Sequence, residues 1–138
     1  MNEIIVGVDD SATAREAAIQ AAALASAMNR PLHLVRAMAR GSVQQVRGGS
    51  ESWLADPITL GEQGLSALAG ELGCTTAISH AVIMKDPAKA LCEEAARLGA
   101  SIIVVGNKRV QGAARVLGSI ANDVAKQAPC NVFIVHTT

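Results

Sequence analysis

The chain has 138 residues, half of them apolar, and its 12 lysines and arginines balance 12 aspartates and glutamates. That length suits one domain with a sizeable core, and zero formal charge without a long basic run argues against a nucleic-acid or anionic-membrane binder. No stretch approaches the ~20 apolar residues needed to span a bilayer, and Met1-Asn2-Glu3 leads straight into a short apolar run without the regions of a signal peptide, so a cytoplasmic location is expected.

Five short runs rich in β-branched residues alternate with helical patterns, the signature of βαβ units and a parallel sheet. The first strand is Ile4 to Val8, and the helix after it carries Ala14, Ala17, Ala18, Ala21, Ala25 and Met28 on one face. Thr13 and Glu16 have capping-box spacing. The second strand is Leu32 to Ala37. From Ala39 to Asp56 the chain is rich in glycine and serine with little periodicity, which predicts a long mobile loop or lid, anchored by the single Trp53.

Asp56-Pro57 reads as a helix start, the aspartate accepting from free amides and the proline fitting the first turn. That helix runs to about Leu72 and stops at Gly73. Thr76 to Met84 alternates as an edge strand does. Asp86-Pro87 repeats the start signal for a helix through Leu98, with Gly99 as its stop. Ser101 to Val105 is a central strand, Ser119 to Gln127 the last helix, and Asn131 to Val135 the fifth strand. These elements predict an α/β fold: an open, doubly wound, five-stranded parallel sheet in the order 3-2-1-4-5 with helices on both faces. Cys74, Cys92 and Cys130 are far apart and odd in number, which fits reduced structural thiols.

In such a sheet the ligand sits beyond the carboxyl ends of the strands, at the switch point between the first and fourth. Asp9-Asp10-Ser11 and the segment Gly106 to Ser119 meet there. Glycines let backbone amides approach phosphate oxygens, and Gly118-Ser119 stands where the positive end of the last helix points outward. The Walker A spacing is absent. By local pattern alone the segment is either a phosphate loop or a flexible loop with a good helix cap, and Lys108 and Arg115 read as solvated charges.

Taken together these residues resemble the universal stress protein family over nearly the whole chain. The segment Gly106 to Ser119 is similar to that family's Gly-x2-Gly-x9-Gly-Ser/Thr motif; Val6 to Ser11, Asp86-Pro87-Ala88 and Ala128 to Val132 resemble its first strand and turn, third helix start and last strand. The resemblance implies a stress-response or signalling module that binds ATP, with or without magnesium, and at most hydrolyses ATP weakly; the alternatives are a member that binds cyclic AMP or a nucleotide-free dimeric interaction protein. Carried over by position, Asp9 lies on the ribose or adenine side with Val8 next to it in the site, Val35 to Ala37 contact the base, Gly106 starts the phosphate loop, Gly118, Ser119 and Ile120 hold phosphates, and Gly112 partly compensates for a missing glycine. Arg109 stands where the family has its second glycine, and eight residues rather than nine separate it from Gly118. An arginine there offers a charge-assisted fork to a phosphate. The resemblance also implies a homodimer through the fifth strand.

Two other classes fit the residues less well. A receiver domain also places paired acids after its first strand, but no lysine follows the fifth strand here and the Gly106 segment would have no role. Hydrolytic chemistry needs a nucleophile and a base held by a third group; His33, His80 and His136 are not tied to such partners by spacing.

Overall fold

The structure, a computed structural model, describes residues 2–9, 11–38, 45–48, 51–54, 57–73, 77–83, 86–108 and 117–137. The elements are β1 (Ile4–Gly7), α1 (Ala12–Met28), β2 (Leu32–Met38), β3 (Gln45–Gly48), β4 (Glu51–Leu54), α2 (Pro57–Glu71), β5 (Ile78–Ile83), α3 (Pro87–Leu98), β6 (Ile102–Lys108), α4 (Ser119–Gln127) and β7 (Asn131–Thr137). Five strands form one parallel sheet in the order β5-β2-β1-β6-β7, which is the expected 3-2-1-4-5 arrangement.

The central strands are apolar on both faces because both faces are covered. Ile4, Val6, Leu34 and Val104 point into one core with the alanine stripe of α1 and with Leu65 and Ala69 of α2. Ile5, Val35, Ile103 and Val105 point into the other, against Leu91 and Ala95 of α3 and Ala121 and Val124 of α4. On α1 the alanines at 14, 17, 18, 21 and 25 are all buried, so the helix backbone lies close to the sheet. Met28 departs from the expected stripe: as the last residue of α1 it is 37 % exposed, and the chain turns away at Asn29, whose left-handed φ of 53° closes the helix.

The helix starts at α1 and α3 follow local chemistry with one correction, while the expected cap of α2, Asp56, lies outside the described residues. Asp86 caps α3, its Oδ1 accepting from the amides of Ala88 and Lys89 at 3.0 and 3.2 Å, and Gly99 ends the helix at φ 65°. The cap of α1, however, is Ser11 and not Thr13. Ser11 Oγ accepts from the Ala14 amide at 3.1 Å, while Asp9 Oδ1 accepts from the Ser11 amide at 2.7 Å. This aspartate turn delivers the chain to the helix two residues before the capping-box spacing would start it.

The stretch from Ala39 to Asp56 is a further correction, since it contains an antiparallel hairpin rather than loop alone. Val46 pairs with Trp53 and Gly48 with Glu51. The fourth and fifth sheet strands also run past their expected ends, because β6 and β7 stay paired through Asn107↔His136 and Lys108↔Thr137. Backbone pairing does not require the apolar residues by which the strand ends were read. Cys92 and Cys130 are free thiols, packed at the second core, and burial pushes both above the ordinary cysteine value. Cys74 lies outside the described residues. Among the described residues no helix is long and apolar enough to cross a membrane.

Candidate functional site

A cleft of about 160 Å³ opens at the carboxyl ends of β1, β2 and β6. Its position follows from topology: α1 leaves β1 toward one face and α4 leaves β6 toward the other, so the connections part and leave a crevice between them. Gly7, Val8 and Asp9 line it from β1, Val35 and Ala37 from β2, and Val105 and Gly106 from β6. The starts of three helices close it, with Ser11, Thr13 and Ala14 from α1, Pro87, Ala90 and Leu91 from α3, and Ile120 from α4. The walls are mainly aliphatic, which suits a flat apolar ring. Polar groups gather on the Asp9 to Thr13 side.

Six of the residues expected at the site from the sequence are therefore on the cleft wall: Val8, Asp9, Val35, Ala37, Gly106 and Ile120. The Val35 carbonyl accepts from the Val8 amide at 2.8 Å, which continues the sheet ladder to the edge of the cleft. Gly118 and Ser119 are not on that wall; they stand immediately before Ile120 at the start of α4. Arg109 and Gly112 lie outside the described residues. Pro87, Ala90 and Leu91 are cleft residues that sequence reasoning does not find, although Asp86-Pro87 is a recognisable helix start. The available signal was topological: a helix that follows a parallel strand begins at the carboxyl end of the sheet, where the ligand side is.

The glycine at 106 has a packing reason that the sequence did not reveal. A Cβ there would fall 2.7 Å from the Thr13 carbonyl oxygen and 2.8 Å from Thr13 Cγ2, so the absent side chain lets α1 approach β6. The three helix starts also differ in how their amides are used. Ser11 caps α1 and Asp86 caps α3 through their side chains, whereas the N-cap of α4 is Gly118 and makes no side-chain cap bond. Its own amide instead donates to Asn107 Oδ1 at 2.7 Å. The N-cap of α4 therefore offers its first amides no side-chain acceptor. Among the described residues the cleft wall has no histidine, cysteine or lysine, and no cluster of three or more His, Cys, Asp or Glu is placed to hold a metal.

The sequence profile of the universal stress protein family matches residues 1–136. The chain belongs to that family. Among solved structures, a universal stress protein in complex with cAMP is 27 % identical, with a TM-score of 0.72 over 99 % of this chain and 98 % of its own. A universal stress protein from Archaeoglobus fulgidus in complex with dAMP shares the fold at 20 % identity, TM-score 0.68, over 98 % of each chain. A Mycobacterium tuberculosis H37Rv protein is 27 % identical with a TM-score of 0.58, over 99 % of this chain and 96 % of its own. No curated protein sequence gives a significant match. The family fold thus accounts for the sheet order and for a cleft at the switch point of the sheet.

Proposed function

We propose that the chain binds an adenine nucleotide in this cleft, ATP in the first instance, and acts as a stress-response or signalling module through that binding. The observation that carries the reading is the cleft itself: aliphatic walls at the switch point, with a carboxylate on one side and a helix start without a side-chain cap on the other. Val8, Val35 and Ala37 face the base in this reading, and Asp9 accepts from the ribose hydroxyls. Gly106, Gly118, Ser119 and Ile120 form the phosphate end, completed by Arg109 and Gly112. Cyclic AMP is the second ligand, favoured by the shortened spacing between Arg109 and Gly118 and by the cAMP complex of a family member with 27 % identity.

Calorimetric titration of the purified chain with ATP, with and without magnesium, and with cyclic AMP tests the proposal. Saturable binding of at least one is expected, and no heat at millimolar nucleotide would sink it. Asp9→Asn keeps an oxygen for the Ser11 amide, so the turn survives while the charge is lost. Affinity for the nucleotide is expected to fall about tenfold, roughly 1.4 kcal/mol, the lower edge of the range for a hydrogen bond to a charged group.

We further propose a homodimer through β7. That strand pairs with β6 on one side and ends the sheet on the other, and Phe133 on it is 44 % exposed. An apolar edge of this kind favours pairing with a second copy. Sedimentation at micromolar concentration should show a dimer; a monomer alone would contradict the assignment.

A further inference from the structure

We propose that Asn107 is a positioning residue for the phosphate end of the cleft, an inference that rests on the nucleotide-binding reading above. Asn107 follows Gly106 on β6 and is only 5 % exposed. A buried amide side chain is costly unless its polar atoms are paired. Its Oδ1 accepts from the Gly118 amide at 2.7 Å across eleven residues of sequence. The bond therefore joins the two ends of the segment that the family resemblance makes the phosphate loop.

Two consequences follow from that single bond. First, it sets where α4 begins. The Asn107 oxygen would stand 3.3 Å from a Cβ on Gly118, so the missing side chain at 118 permits the close approach. Second, the bond takes the Gly118 amide for internal use, and α4 has no side-chain cap. The next helix donors are the amides of Ser119 and Ile120, and Ile120 lines the cleft. Binding by fixed amides depends steeply on their placement, and a displacement of about 1 Å is enough to matter. Asn107 thus acts on phosphate oxygens through Gly118 without touching them. The base end of the cleft, built on β1, β2 and α3, does not depend on this bond.

Calorimetric titration of the wild-type chain, Asn107→Ala and Asn107→Ser with AMP and with adenosine separates positioning from general stability, with the thermal midpoint followed in parallel. Asn107→Ala is expected to weaken AMP at least tenfold and adenosine less than twofold. Asn107→Ser stays polar and uncharged but is too short to reach the Gly118 amide, so it too should weaken AMP selectively; it carries the test if the alanine variant does not fold. Equal losses for the two ligands, or no loss for either, overturn the role of Asn107 alone. A wild-type chain that gives no heat with AMP overturns the role of Asn107, and the nucleotide reading falls with it only if ATP and cyclic AMP also give none.

Discussion

Gly106→Val is expected to destabilise the fold by about 3 kcal/mol, and Gly106→Ala by about 2 kcal/mol, as overpacking against an immovable neighbour does. The atom that the new Cβ meets at 2.7 Å is the backbone carbonyl oxygen of Thr13. Being part of the first turn of α1, it cannot rotate aside; relief requires the helix start to move away from β6. Gly7 provides the contrast. A Cβ there would also meet an atom at 2.7 Å, but that atom is Leu91 Cδ1, the far end of a side chain with other rotamers. Gly7→Ala should therefore cost less than Gly106→Ala. Because Ser11, Thr13 and Ala14 wall the cleft, the shift of α1 in the Gly106 variants should also lower nucleotide affinity. Urea unfolding without ligand reads the stability term, as a lower midpoint at unchanged slope. If Gly106→Ala unfolds within about 0.5 kcal/mol of wild type, the ordinary range for neutral surface changes, then the glycine serves ligand approach rather than packing.

Leu34→Ala and Ile103→Ala should each cost about 3 kcal/mol, the mid-range for truncating a fully buried aliphatic side chain and leaving a cavity. Both residues are fully buried, yet they belong to different cores, Leu34 with α1 and α2 and Ile103 with α3 and α4. The sheet, with β1 between their two strands, separates them. Changes without shared partners add to within about 0.5 kcal/mol, so the double variant should lose about 6 kcal/mol, comparable with the whole stability of a small domain at roughly 5–15 kcal/mol. It is expected to be largely unfolded, while each single variant remains folded with a lowered urea midpoint. A coupling larger than about 1 kcal/mol in this cycle would mean that the two faces do not pack independently.

Particular residues show how far the sequence could be read. Asp86-Pro87 and Gly99 gave α3 its true bounds because both ends are set by local hydrogen bonding and backbone conformation. The start of α1 was misjudged because two caps competed locally, and the turn made by Asp9 favoured Ser11. The β3–β4 hairpin, in which Gly48 pairs with Glu51, has one local signal in the sequence, the glycine-first dipeptide Gly49-Ser50 of a kind that favours hairpins. The strands it joins lack the apolar alternation by which strands are usually read.

The sequence by itself determined the strands, the helices and their alternation, because apolar periodicity and helix-end chemistry are local properties of the chain; the strand order, and with it the crevice between the first and fourth strands, was an expectation from the regularities of such folds that the structure bears out. Only the tertiary structure decided what stands around that crevice. The wall from α3, the packing of Gly106 on Thr13 and the bond from Gly118 to Asn107 all join residues distant in sequence. Such contacts depend on how closely helices approach the sheet, which no local pattern encodes. The two glycines that look alike in the motif are thus different in kind: Gly106 makes room for a helix, and Gly118 gives its amide to a buried side chain.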